Sequence, residues 1–257
     1  MHVMESYGID GPLLSWIRNF LIDRKQRVIF NGQSSKWYDV SSGVPQGSVL
    51  GPVLFVIYIN TILEVSNAEN IYLFADDTKL YQEISSVDDV QHLQTDIDVL
   101  YDWTQYSLLR FHPLKCTAMR ISRGVSDYDW PCSYNMDEVK IKVASEEKDL
   151  GVIIDNRLTF EQHIMSKVSK ANSVVGLMRR TFTYLDAEMF KTLFTSIVRP
   201  ILECAAPIWN PYIRKHIIAL ENVQRRATKL IPGLNKVEYE DRLRTLKLTT
   251  WHIGDIG

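Results

Sequence analysis

The stretch Ile71-Tyr72-Leu73-Phe74-Ala75-Asp76-Asp77-Thr78-Lys79-Leu80 decides how the rest of the chain is read. Apolar and aromatic β-formers run up to two adjacent carboxylates, and a second short run, ending in Leu80 and Tyr81, leads away. This is the pattern of a β-hairpin whose tip carries acid. Carboxylates at a strand end suit a hard divalent cation, because magnesium takes one or two of them and leaves its other positions to water and substrate phosphates. Two such ions stabilise both the attacking and the leaving oxygen of a phosphoryl displacement. An Asp-Asp pair after an apolar run is also the pattern of a plain surface turn, and these residues alone leave both readings open.

The preceding stretch narrows the choice. Ser42-Gly43-Val44-Pro45-Gln46-Gly47-Ser48-Val49-Leu50-Gly51-Pro52 is a loop dense in glycine and proline that opens into the apolar run Val53–Ile59. Glycine lets a backbone approach a ligand closely, proline fixes the direction of the chain, and Gln46 both donates and accepts hydrogen bonds, as positioning a base requires. Together the loop and the Phe74-Ala75-Asp76-Asp77 tip resemble the reverse transcriptases of non-LTR retrotransposons, of the jockey and chicken-repeat type. The similarity runs along essentially the whole chain. Tyr7-Gly8-Ile9, Gly11, Trp16-Ile17, Phe20-Leu21, Gln26 and Asn31-Gly32 all stand where that family has them, ahead of the glutamine loop.

Composition is compatible with this. At 257 residues and 46% hydrophobic, the chain is long enough for a sizeable core in one large domain or two small ones. No apolar run approaches membrane-spanning length, and the N-terminus, with Glu5 and Asp10, lacks a secretory pattern. An intracellular location, cytoplasm and nucleus, is therefore expected. Cys116, Cys132 and Cys204, odd in number and widely spaced, read as reduced thiols in the core. The net charge of −2 hides an asymmetry: residues 61–157 hold 9 Lys and Arg against 18 Asp and Glu, whereas residues 158–250 hold 15 against 8. Nucleic-acid binding depends on local basic faces, so a near-neutral total does not exclude it.

Taken in order, residues 3–23 read as a helix broken at Tyr7–Pro12, with Asp10 as N-cap. Gln26–Phe30, the Asn31-Gly32 turn and Trp37–Val40 make a hairpin. Ser86-Val87-Asp88-Asp89 opens a helix over roughly 87–106, on which Asp96, Asp98 and Asp102 form a solvated face. Thr117–Ser122 reads as a strand, and residues 123–131 as an exposed loop. Val139–Val143 alternates as a half-exposed strand, with Lys148–Asp155 as its partner. From Phe160 on the chain is helical, over about 160–181, 186–204 and 212–230.

The resemblance gives these elements roles. It implies an α+β fold: a polymerase palm in residues 1–122, a β-hairpin or primer-grip region in 123–157, and a helical thumb in 158–257. Asp76 and Asp77 would face two magnesium ions, Pro45, Gln46 and Gly47 would bind template and incoming nucleotide, and Leu150 and Gly151 would meet the primer end. Lys115 would be a general acid toward the leaving pyrophosphate, with a plain surface lysine as its alternative. Lys167, Lys170, Arg179, Arg180, Arg225, Arg226 and Lys229 would contact nucleic-acid phosphates, the alternative being an ordinary solvated helix face. His163 and His112 read as structural. The implied partners are an RNA template, a DNA primer and deoxynucleoside triphosphates.

The chain also departs from the family. The D-F-x-x-A-F-D type motif, which carries another catalytic aspartate on a strand ahead of the Tyr7-Gly8-Ile9 turn, does not occur in it, nor does the fingers region. Thr61 follows Asn60 where relatives usually have Asp, and His112 stands where they often have Asn. The chain alone is therefore expected to lack polymerase activity, to bind magnesium weakly or not at all, and to need an upstream polymerase segment. It is also expected to be poorly soluble, with an apolar sheet edge left open. A non-catalytic nucleic-acid-binding remnant and a decayed gene product are the rival readings.

Overall fold

The computed structural model describes residues 1–65, 70–122 and 133–251. The chain divides into two compact units, Met1–Cys116 with Ser133–Ile141 and Thr117–Cys132 with Lys142–Gly257. Helices and short β-ladders are mixed, as the α+β expectation has it. The 123–131 loop expectation and Cys132 lie outside the described residues.

The first unit opens with α1 (His2–Ser6) and α2 (Gly11–Leu21), separated by the turn at Gly8. Asp10 is the N-cap of α2, but its side chain makes no capping bond. An exposed hairpin follows, of β1 (Lys25–Gln26), β2 (Ile29–Phe30), β3 (Gln33–Ser34) and β4 (Tyr38–Asp39). Its tip is Asn31-Gly32, both with positive φ (48° and 76°), the turn whose twist suits paired strands. Next come α3 (Leu50–Ile59) and α4 (Ile62–Val65). Because α3 is apolar on every side, it is buried on two faces. Leu50, Leu54 and Ile57 join Met4 and Ile17 of the N-terminal helices, while Phe55 and Ile59 join a second cluster.

That second cluster carries the acidic hairpin. β5 (Ile71–Phe74) pairs antiparallel with β6 (Asp77–Leu80), and Ile71, Leu73 and Leu80 point inward to Ile59, Ile62, Leu100 and Trp103. Leu100 and Trp103 come from α5 (Val87–Ser107), which starts on a full capping box: the Ser86 hydroxyl accepts from the Asp89 N–H while the Asp89 carboxylate takes the Ser86 N–H. A 3₁₀ turn at Pro113–Lys115 follows.

β7 (Thr117–Ala118) begins the second unit, and the strand expected to run to Ser122 stops there. The expectation of one strand over Val139–Val143 needs correction. β8 (Asn135–Met136) pairs with β9 (Val139–Lys140) in the first unit, whereas β10 (Lys142–Val143) pairs parallel with β7 in the second. Nor is Lys148–Asp155 its partner, because β11 (Glu146–Asp149) and β12 (Val152–Asp155) pair with each other about Leu150-Gly151. Alternation reports which residues are half-buried; it carries no information about the neighbouring strand.

The helical part of the second unit comprises α6 (Glu161–Thr181), α7 (Ala187–Leu193), α8 (Arg199–Glu203), α9 (Ala206–Trp209), α10 (Arg214–Thr228) and α11 (Tyr239–Leu246). A π-helical turn at Phe194–Val198 joins α7 to α8, where Pro200 has no N–H to give the regular ladder. The core runs through Ile164, Val168, Phe190, Phe194, Leu202, Trp209, Leu220 and Val223. Asp155 holds the entrance to α6: its carboxylate accepts from the N–H groups of Arg157, Thr159 and Phe160 and from the Thr159 hydroxyl. Burial raises its affinity for a proton, yet those hydrogen bonds win and keep it below the usual carboxylate range. The cysteines do not all lie in the core as expected. Cys116 is half-buried and Cys204, at the end of a short helix, is exposed; both are free thiols.

Candidate active site

Asp76 is in the two-residue turn of the hairpin, and Asp77 is the first residue of β6, opposite Phe74. The turn is set by Ala75, whose φ of 52° is one that a strand-twist-matched hairpin turn requires. Both carboxylates are exposed, and the face they share with Tyr72 and Phe74 is open to solvent. Tyr72 stacks on Tyr81 with ring centroids 5.5 Å apart. On the inward face, the Thr78 hydroxyl is buried without a hydrogen-bond partner among the described residues.

The glutamine loop is built by short polar ties. Arg24 donates through Nε to the Leu21 carbonyl (2.8 Å) and through Nη2 to the carbonyls of Gly43 (2.5 Å) and Ser42 (3.3 Å), fastening the loop to the end of α2. The Ser48 hydroxyl donates to the Pro45 carbonyl and accepts the Gly51 N–H, each at 2.9 Å. Gly51 must be glycine here, since a Cβ would stand 2.7 Å from the Pro45 oxygen and 2.8 Å from Ser48 Oγ. Within this frame Gly47 takes φ 79° and Gln46 is exposed at the crest. None of these ties is visible in the sequence, since Arg24 reaches carbonyls far along the chain.

One apolar cluster connects the elements that carry the expected residues. Phe55, on the helix that the glutamine loop opens into, packs with Leu73 and Leu80 of the acidic hairpin and with Phe111. Lys115 follows Phe111 on the 3₁₀ turn and is exposed. Thr61, where the resemblance leads one to expect Asp, ties two helices together. Its hydroxyl donates to the Tyr58 carbonyl (2.8 Å) and accepts the Trp103 indole N–H (3.3 Å).

Asp76 and Asp77 are chemically suitable for magnesium, but by themselves they do not fit a two-ion site. Among the described residues no three Asp, Glu, His or Cys side chains gather as a metal-holding group. A further carboxylate would have to complete it.

In the second unit, Leu150 and Gly151 form the β11–β12 turn with φ 44° and 88°, and Leu150 is exposed. His163 is structural, as expected: its Nδ1 accepts the Ile153 N–H at 3.1 Å and its ring packs on Trp209. Burial, aided by the positive charge of Lys167, lowers its affinity for a proton. Arg179, Arg180, Arg226 and Lys229 line a groove between α6 and α10. Lys167 and Lys170 fall on other faces of α6, and the Arg225 guanidinium lies over the Tyr239 ring, 4.2 Å from its centroid.

Residues 1–177, which contain the glutamine loop, the acidic hairpin and the β11–β12 turn, match the profile of the family described as reverse transcriptase (RNA-dependent DNA polymerase). The chain belongs to the reverse transcriptase family. This reverse transcriptase chain is 25% identical over 255 residues to a probable RNA-directed DNA polymerase from transposon X-element of Drosophila melanogaster, covering 94% of the chain and 27% of that protein. It is 27% identical over 240 residues to the RNA-directed DNA polymerase from mobile element jockey of Drosophila funebris, covering 88% of the chain and 25% of that protein. A probable RNA-directed DNA polymerase from transposon BS of Drosophila melanogaster is 24% identical over 238 residues, 86% of the chain and 26% of its own length. The chain thus spans about a quarter of the length of the curated relatives it matches, and its likeness is to enzymes of non-LTR retrotransposons. No helix among the described residues is long and apolar enough to cross a membrane.

Proposed function

We propose that the chain is the palm and thumb portion of an RNA-directed DNA polymerase that adds deoxynucleotides to a primer 3′-hydroxyl on an RNA template. Its catalysis would be by positioning and charge neutralisation. The observation that carries this is the shared apolar cluster through which the helix of the glutamine loop and the Asp76-Asp77 hairpin are packed together. In this reading residues 1–122 are palm, 123–157 the primer-grip region and 158–257 thumb. Asp76 and Asp77 hold magnesium once a further carboxylate completes the site, and Pro45, Gln46 and Gly47 position template and nucleotide. Lys115 is the candidate proton donor, and Leu150-Gly151 brings backbone near the primer. The enzyme works inside the cell, where its nucleic acids are.

The 257-residue chain by itself is then inactive. Primer extension with magnesium tests this: no deoxynucleotide incorporation by the chain alone, and incorporation once a polymerase segment bearing the D-F-x-x-A-F-D type motif is fused ahead of it. Asp76→Ala in the fusion should abolish the gain. Incorporation by the chain alone refutes the inactivity, and a fusion indifferent to Asp76→Ala refutes the site. The rival, a nucleic-acid-binding remnant without catalysis, is favoured by the cationic groove of the second unit and predicts binding with no extension in either form.

A further inference from the structure

The groove between α6 and α10 has a composition that says more than "basic surface". The two helices run parallel as neighbours. The Glu161 carboxylate meets Lys215 Nζ at 2.7 Å near their starts, and Asn172 Oδ1 accepts from Arg226 Nη1 at 3.3 Å farther along. Between them lie two contiguous hollows of about 690 and 640 Å³ that share Asn172, Gly176 and Arg226 as walls. Cations stand on both rims, Arg179 and Arg180 on the α6 side and Arg226 and Lys229 on the α10 side, and among the described residues no Asp or Glu lines either hollow. The floor is apolar, with Val168 and Ala219. Gly176 leaves it open: a Cβ there would find only Arg180 Nη1, at 3.8 Å.

Cationic rims over an apolar floor suit a ligand with anionic edges and flat, weakly polar interior groups. Helices packed side by side are about 8–10 Å apart, so the valley between them admits one strand of a polynucleotide, whereas a duplex accepts a helix into its own groove rather than entering such a slot. From Met165 to Phe182 the valley follows α6 for on the order of 25 Å. We propose that the α6–α10 valley binds an unpaired polynucleotide strand, its phosphates on the arginine and lysine rims and its bases toward the floor beside Gly176. This deepens the polymerase reading and rests on it. Unpaired template, rather than the template–primer duplex, is the ligand of this groove.

The test is fluorescence anisotropy on the full 257-residue chain with three labelled probes: an oligothymidylate, a mixed-sequence duplex of equal length, and polyglutamate. The expected result is tighter binding of the single strand than of the other two. Arg180→Ala and Arg226→Ala should each reduce the slope of log K against log salt by about 0.7, the increment per phosphate contact on a single strand. Gly176→Leu fills the floor, adds no charge and favours the helix, so it should weaken single-strand binding with an unchanged circular dichroism spectrum. A duplex bound as tightly as the single strand, with Gly176→Leu without effect, overturns the single-strand assignment while leaving the nucleic-acid reading of the thumb intact. Polyglutamate bound as tightly as the oligonucleotide overturns the assignment in favour of plain polyanion attraction. Binding of no nucleic acid at any salt concentration overturns both.

Discussion

At the scale of single residues, two positions near the candidate site are under opposite stresses. Thr78 faces inward beside Leu73 with a buried hydroxyl that finds no partner among the described residues. Thr78→Val keeps the shape and removes the unpaired group, and should stabilise the chain by about 1 kcal/mol, read as a raised urea midpoint at unchanged m-value. Gly51 is the reverse case, since no larger residue fits against the Pro45 carbonyl. Gly51→Ala should cost about 1–3 kcal/mol by overpacking and push the Pro45-Gln46-Gly47 turn out of shape. Chemical denaturation measures the first effect. Faster proteolysis in the 42–52 loop of the folded variant reports the second.

At the scale of elements, helix entrances are where polar side chains decide stability. Ser86 caps α5 with a reciprocal bond to Asp89, so Ser86→Ala should lower stability by about 1 kcal/mol, again by denaturant midpoint. The β12–α6 junction adds a pH dependence. His163 accepts the Ile153 N–H only when Nδ1 is unprotonated, and burial holds its folded pKa below the unfolded value. The unfolded chain therefore binds more protons in between, so this contribution is fully present above the unfolded value of about 6.5 and is lost as pH falls below it toward the folded value. Melting temperature should fall from about pH 7.5 to about 5.5. His163→Asn, whose amide oxygen still accepts the Ile153 N–H, should flatten that part of the curve. Asp155 acts at lower pH with its own depressed carboxyl, its share lost as pH falls through the folded value.

For the whole molecule, the two units differ in what holds them together. The second has a continuous core from Ile164 through Phe190 to Leu246, whereas the first has two small clusters, about Met4, Ile17 and Leu54 and about Ile59, Ile62, Leu100 and Trp103. Calorimetry of the full chain should resolve two transitions, the first unit melting at the lower temperature; one transition matching its van't Hoff enthalpy would contradict this. The first unit also exposes Val28, Ile29 and Phe30 on its hairpin, Val53 and Val56 on α3, and Tyr72 and Phe74 on the acidic hairpin. β5 and β6 pair only with each other among the described residues, so their outer edges are open. Sedimentation should show association that grows with concentration, and Phe74→Lys with Ile29→Lys should reduce it.

The sequence by itself determined the elements whose signals are local. Asn31-Gly32 sets a turn by its φ values, Ser86 and Asp89 start a helix by mutual hydrogen bonds, and the run ending at Asp76-Asp77 makes a hairpin by β-propensity interrupted at its tip. It also determined the family, because the glutamine loop and acidic tip together are specific. Tertiary structure alone decided the pairings and the ties. Val139–Val143 split between two units because alternation says which side chains are inward and nothing about which strand lies alongside. Arg24 found the Gly43 carbonyl, Thr61 met Trp103, and four of the seven expected cations came to one valley while Arg225 went to Tyr239. Those outcomes depend on which distant faces pack together, and hydrophobic burial, which drives the packing, is non-directional and leaves no mark at any single position.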